Sequence, residues 1–274
     1  MKKIIRLLVI NPLTWAILNS FYKVFYRFKF EKDLISIENR KKELSKHDEK
    51  LRDIFKDLTV RNGLFKGMKY PEFTAHGSSL YPKLLGSYEC ELYPDIEKLI
   101  KTNYKFIIDV GCAEGFYAVG LAMISPNSKV LAYDINENAL NACKSMAETN
   151  KLKNIEFGSF CNQDTLKSMD LSGRNLIVCD CEGYEKELFS NGISSSLTTC
   201  DILIELHDLY DESISPSVLG ELGKTHNVRF VYSENTFEKL DKFEIRKHLS
   251  DFEIQTYFAE RNGIMRWAIL TPKA

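Results

Sequence analysis

Acids, glycines and one histidine recur in this 274-residue chain at the ends of short apolar runs. Phe106-Ile-Ile-Asp109-Val-Gly111-Cys112-Ala113-Glu114-Gly115 ends in an acid and a glycine-containing turn. Lys129-Val-Leu-Ala-Tyr-Asp134 ends in a second acid 25 residues after Asp109, followed by Ile135. Leu176-Ile-Val-Cys-Asp180 and Asp201-Ile-Leu-Ile-Glu205-Leu-His207 close in polar groups as well. A glycine turn lets a ligand approach backbone closely, and the acid ending the next strand accepts hydrogen bonds from ribose hydroxyls. Asp180 and Glu182 facing Glu205, His207 and Asp208 would gather acids and one imidazole beside such a ligand. Packing alone does not favour that gathering, because isolated buried charges are costly.

Two nucleotide-type cofactors fit this plan. A dinucleotide site wants Gly-x-Gly-x-x-Gly, with a helix N-terminus facing the pyrophosphate. Here Gly111 and Gly115 stand four apart, Ala113 takes the middle glycine's place, and Glu114 would repel a diphosphate. A cationic sulfonium tolerates that acid, so S-adenosylmethionine matches better than NAD. Asp109, Gly111, Cys112, Ala113, Gly115, Asp134, Ile135 and Asp180 are the residues expected around it. The loop Gly158–Asp164 should reach the adenine edge, with Asn162, Gln163 and Asp164 as candidates against an ordinary polar loop. Tyr81–Glu89, just ahead of the first strand, reads either as a lid that brings Tyr88 and Glu89 to the cofactor or as a linker.

Asp109-Val-Gly-Cys-Ala-Glu-Gly115 and Tyr133-Asp134 resemble the first two motifs of class I S-adenosylmethionine-dependent methyltransferases. Cys179-Asp-Cys-Glu-Gly-Tyr-Glu185 and Ile204-Glu-Leu-His-Asp208 are similar to the FkbM-type family, as are Gly63–Tyr70 and Lys83–Glu89, over roughly residues 63–274. The resemblance implies methyl transfer to a sugar or polyketide hydroxyl, and an association with bacterial surface-polysaccharide synthesis. It also implies an antiparallel closing strand around Met265-x-Trp267. Such a transfer is an in-line displacement that needs acceptor oxygen, methyl carbon and sulfur aligned. His207, with an ordinary pKa near ~6.5, could take the hydroxyl proton. Alternatively Asp180 with Glu205 or His207 could hold a divalent cation, Mg²⁺ or Mn²⁺, that acidifies the hydroxyl. A purely structural His207 is the third reading. Arg261 could meet an anionic substrate group or sit in a salt bridge. His47, His76, His226 and His248 read as surface residues, and Cys181 as a small packing residue.

The elements that must position these groups alternate. Strands beginning at Phe106, Lys129, Asn154, Leu176, Asp201, Val228 and Arg266 are separated by helical stretches such as Phe116–Ile124 and Asn136–Asn150. The expected fold is α/β: a Rossmann-like seven-stranded methyltransferase sheet with helices on both faces, plus an N-terminal helical extension. The boundaries read as 1–62, a basic helical extension; 63–103, a lid segment; and 104–274, the methyltransferase domain. Residues 1–62 carry 15 Lys and Arg against 8 Asp and Glu, a net of +7 in a chain whose total is −1. The remainder is therefore acidic, which disfavours a generic polyanion binder.

Met1-Lys-Lys and Ile4–Ile10 imitate the start of a leader, but Arg6 interrupts the run and no small-residue cleavage site follows; Leu7–Leu18 is too short and too interrupted, by Asn11 and Pro12, to span a bilayer. Leu13, Ile17, Phe21, Val24, Phe25 and Phe28 recur at spacings of three and four opposite Asn19, Lys23 and Arg27. Residues 1–32 thus read as an amphipathic element for an anionic membrane surface, or as a stripe packed on the body or a second subunit. Beyond it, Ile37, Leu44, Leu51 and Leu58 stand seven apart on a solvated helix that Asn62-Gly63 should break. Seven cysteines without a Cys-x-x-Cys pair indicate a reducing cytoplasm, at the inner face of the membrane if the extension docks there. The expected activity is O-methyl transfer to a sugar hydroxyl of a surface glycan or its lipid-linked precursor. The rivals are a nucleic-acid methyltransferase, disfavoured because the fourth strand lacks a Pro-Pro-aromatic turn, and a non-catalytic scaffold on the same fold.

Overall fold

The computed structural model describes residues 12–261 and 263–273. The chain divides into two compact units, Met1–Ile54 and Phe55–Ala274. The described residues of the first form one 43-residue helix, α1 (Pro12–Ile54), whose first residue is a proline with a fixed φ that suits a first turn. The basic start Lys2, Lys3 and Arg6 and the side chains from Leu13 to Phe25 lie outside the described residues. Phe28, further on, is 72% exposed, and Leu34 and Ile35 are exposed too.

The helix ends sooner than Asn62-Gly63. Phe55, Val60, Phe65 and Met68 are buried in the second unit, and Leu58 takes a left-handed φ of 49° that no helix continues. Leu58 is therefore not the fourth member of a helical stripe. Burial of these apolar side chains decides the boundary, not the local glycine. No helix among the described residues is long and apolar enough to cross a membrane.

The second unit is built on seven strands: β1 (Phe106–Val110), β2 (Lys129–Tyr133), β3 (Ile155–Gly158), β4 (Asn175–Cys179), β5 (Cys200–Glu205), β6 (His226–Tyr232) and β7 (Arg266–Pro272). Their order is β3-β2-β1-β4-β5-β7-β6, parallel except that β7 runs antiparallel to both neighbours. This is the Rossmann-like methyltransferase arrangement. β4 and β5 are buried along their whole lengths, as central parallel strands flanked on both faces must be. Alternation splits the side chains: Ile108, Val110, Ile177, Cys179, Ile202 and Ile204 face a core closed by Leu188, Phe189, Ile214 and Val218. On the opposite side α4 (Phe116–Ile124) packs Tyr117 edge-on to Trp267 of β7, with ring centroids 5.9 Å apart.

Residues 55–103 belong to this body rather than standing over it. α2 (Leu80–Leu85) is buried from Tyr81 onward, and α3 (Tyr93–Leu99) follows after a short 3₁₀ turn. Phe65 lies against Gly120 of α4, where any Cβ would fall 2.6 Å from its ring. Residues 81–85 and Tyr88 are buried in this body, and Lys83 and Tyr88 of that segment line the cavity. The sheet order reverses between β1 and β4, and the carboxyl ends of these strands open a crevice where such folds bind ligands.

Candidate active site

The crevice is a cavity of about 390 Å³. β1 delivers Asp109 into it and then turns sharply. Gly111 sits at φ 87°, and a Cβ there would lie 1.7 Å from the Asp180 carbonyl oxygen, so only glycine lets the ends of β1 and β4 approach. Gly115 answers a different need. Its Cβ would meet Cys143 Sγ at 2.7 Å, and it does not line the cavity, so it serves helix packing and not ligand approach. Asp134, ending β2, accepts the Ala113 N–H at 2.8 Å and the Asn136 N–H at 2.7 Å, which shapes the β1 loop around its own carboxylate. Each of its oxygens keeps a lone pair for a ligand hydroxyl.

Of the expected cofactor residues, Tyr88, Asp109, Gly111, Cys112, Ala113, Asp134, Ile135 and Asp180 line the cavity. Glu89 does not. It is 1% exposed and is engaged by the Tyr117 hydroxyl and the Arg261 guanidinium. Asn162 is also elsewhere: its side chain accepts from the Thr165 N–H at 2.8 Å and caps α6 (Gln163–Ser168). Gln163 donates to the Glu187 carbonyl at 2.8 Å, and Asp164 is exposed. The cavity wall is instead made by Ser159, Phe160 and Cys161, just upstream of those three, with the exposed Ile135 across from them on β2's side.

Glu114 overturns a step in the cofactor argument. It is 2% exposed, turned away from the cavity, and bound by Lys83 Nζ at 2.5 Å and the His76 N–H at 3.0 Å. Burial alone would raise its pKa, but the Lys83 charge and hydrogen bond hold it below the ordinary value. It therefore repels nothing in the crevice, and the choice of cofactor rests on the remaining features. His76 is half-buried and lines the cavity, and His226 is no surface residue but buried, with Nε2 3.0 Å from the Cys200 carbonyl. No periodicity or turn signal around His76 could have located it, because its place depends on the Glu114 contact 38 residues away.

Three acids carry the electrostatics. Asp109 is 2% exposed and its Oδ2 accepts no hydrogen bond. Burial, then Asp180 and Asp134, push its pKa up to about 8. Asp180 rises to about 6 through burial and Glu89, opposed by His207 and Arg261. Glu205, fully buried, is driven far above the carboxylate range by burial and by Asp180 and Glu89. Arg261 Nη2 approaches Glu205 Oε1 at 2.7 Å and also pairs with Glu89, so the arginine settles among the protein's own acids.

At the cavity's edge, Asp180, Glu205 and His207 converge, each offering one atom within 4.8 Å of the others. His207 Nε2 stands 3.4 Å from Asp180 Oδ1, 3.5 Å from Glu182 Oε2 and 3.6 Å from Glu205 Oε2. Its Nδ1 lies 2.8 Å from Glu185 Oε1, and Tyr210 stacks on the ring at 5.6 Å. Asp180 Oδ1 and Glu205 Oε2 accept no hydrogen bond. Two carboxylates this close either share a proton or hold a cation between them. The donor set of two oxygens and one imidazole nitrogen suits a divalent ion such as Mn²⁺ or Mg²⁺. The chemistry open to the cluster is thus proton acceptance by His207 or cation binding.

Residues 101–213 match the family model of a methyltransferase domain. A curated relative, the ribosomal protein L11 methyltransferase of Aquifex aeolicus, is 28% identical over 149 residues, which are 51% of this chain and 60% of that protein. The chain thus spans less than two thirds of that relative's length. Among solved structures, an rRNA methylase from Streptococcus thermophilus aligns with TM-score 0.44 and 13% identity, covering 67% of this chain and 97% of that one. A precorrin-6y C5,15-methyltransferase from Geobacter metallireducens aligns with TM-score 0.43 and 12% identity over 66% and 89%. The bifunctional kinase-methyltransferase WbdD aligns with TM-score 0.45 and 17% identity over 73% and 44%.

Proposed function

We propose that this protein transfers the methyl group of S-adenosylmethionine to a hydroxyl, on a sugar of a surface glycan or its lipid-linked precursor. The methyltransferase-domain match over residues 101–213 supports the reaction class. The observation that carries the hydroxyl reading is His207 Nε2 3.4 Å from Asp180 Oδ1, a buried imidazole directly behind the cavity-lining Asp180. The FkbM-type motif Asp180–Glu185 supports the sugar.

Asp134 would hold the ribose and the β1 loop would carry the cofactor past the Asp109 end of the crevice. His207 would take the acceptor's proton, and the neighbouring acids would stabilise the imidazolium that results. In the alternative reading, where His207 spends its Nε2 lone pair as a ligand and is not the base, a divalent cation at Asp180, Glu205 and His207 would acidify the hydroxyl and orient it; the unpartnered, buried Glu205 Oε2 fits such an ion. Residues 1–32 would bring the enzyme to the anionic inner face of the membrane, where lipid-linked sugars are met.

The test is incubation with labelled S-adenosylmethionine and a panel of glycan precursors, with the product mapped by mass spectrometry. Methyl on a sugar oxygen is the expected result. A methylated nucleic acid instead, bound with a steep salt dependence through the basic residues 1–62, would replace this reading with the nucleic-acid one.

A further inference from the structure

We infer that Glu185 is the positioning residue of the site, fixing the tautomer and plane of His207 so that Nε2 is turned toward the cavity-lining Asp180 and Glu182. Glu185 opens the short helix α7 (Glu185–Leu188) directly after the acidic turn Asp180–Tyr184. It is fully buried on the Nδ1 side of His207 and does not line the cavity. Its Oε1 accepts the Cys181 N–H at 3.1 Å and faces His207 Nδ1 at 2.8 Å.

An ionised carboxylate only accepts, so the hydrogen between Glu185 and Nδ1 belongs to the imidazole, and in the neutral ring the lone pair falls on Nε2. Nε2 is turned away from Glu185, 3.4 to 3.6 Å from carboxylate oxygens of Asp180, Glu182 and Glu205. The face of the ring is held as well. Tyr210 stacks on it 16° from parallel and donates its hydroxyl to Glu182 at 2.9 Å, across the same turn. One carboxylate oxygen therefore ties the β4 turn, through Cys181, to the imidazole after β5.

The arrangement also gives the motif Asp180-Cys-Glu-Gly-Tyr-Glu185 a division of labour. Its first acid reaches the cavity, its second the rim, and its third the back of the histidine. A bare Nε2 serves a proton acceptor or a metal ligand equally. The assignment thus rests on the proposed reaction only where kinetics are read, and its first measurement needs no turnover.

That measurement is two-bond ¹H–¹⁵N correlation on the full chain with labelled histidine at alkaline pH, His207→Gln supplying the assignment. The proton is expected on Nδ1 in the wild type and on Nε2, or exchanging between both, in Glu185→Ala. A wild-type ring protonated at Nε2 overturns the inference. The second arm uses Glu185→Gln, which keeps the shape and the acceptor oxygen and removes only the charge. Turnover number should fall about 10- to 100-fold with unchanged affinity for S-adenosylmethionine, the usual cost of losing an outer partner of a site histidine. Unchanged turnover overturns the positioning role. A wild type with the expected tautomer and no methyl transfer to any acceptor would sink the proposed function and leave the ring's geometry standing.

Discussion

In the proposed reaction Asp134 serves binding and His207 chemistry. Asp134→Ala removes a ribose acceptor and also releases the Ala113 and Asn136 amides. Calorimetry should show S-adenosylmethionine binding weakened about 10- to 100-fold, the size of a lost charge-assisted bond. His207→Gln should leave that affinity unchanged and lower the turnover number by about 10² to 10⁴, as loss of a proton acceptor does. Asp109 makes a stability statement. Its folded pKa of about 8 lies above the unfolded value, so between the two the folded state binds more protons. The term that favours folding is fully present below the unfolded pKa and fades as pH rises toward about 8. Asp109→Asn should therefore raise the melting temperature at neutral pH and flatten its decline from about pH 4 to about 8, while weakening cofactor binding. An unchanged pH profile would remove burial of an ionising Asp109 from the account.

Between elements, the buried Lys83–Glu114 pair ties α2 to the loop that leaves β1. Both side chains are 3% exposed, and Lys83 also lies over the Tyr88 and Phe116 rings. Removing one partner of such a pair strands the other charge in the interior, at about 3–5 kcal/mol. Lys83→Met should lower thermal stability by that amount, and adding Glu114→Leu should restore most of it. If the single change is silent, α2 is held by its apolar contacts alone. The β1 turn shows the same dependence on distant partners: Gly111 is dictated by the Asp180 carbonyl and Gly115 by Cys143 on α5 (Glu137–Thr149). Two glycines of one motif thus answer two separate packing demands.

For the molecule as a whole, a basic helix and an acidic α/β body are joined after Ile54. Full-length protein should co-sediment with vesicles of anionic lipid and dissociate as salt screens the charges, within a Debye length of about 8 Å at physiological ionic strength. Deleting residues 1–54 should abolish that sedimentation and leave the affinity for S-adenosylmethionine unchanged. Sedimentation that survives the deletion would move the membrane contact to the α/β body.

The strands, their order of appearance and the acids at their tips were legible in the sequence, because apolar periodicity and strand-end polarity are local properties of the chain. The long N-terminal helix was legible for the same reason. Its end was not: Phe55 and Phe65 find their partners only in the folded body, and burial, not Asn62-Gly63, ended the helix. Asp180, Glu205 and His207 could be grouped from sequence since adjacent parallel strands bring their tips together. Glu114, Glu89 and Asn162 went elsewhere because their partners, Lys83, Arg261 and Thr165, are set by tertiary contact or local capping. Pattern along a chain says which groups reach the crevice end of the sheet; which of them face the cavity depends on the three-dimensional competition for hydrogen-bond partners, and that competition is settled only on folding.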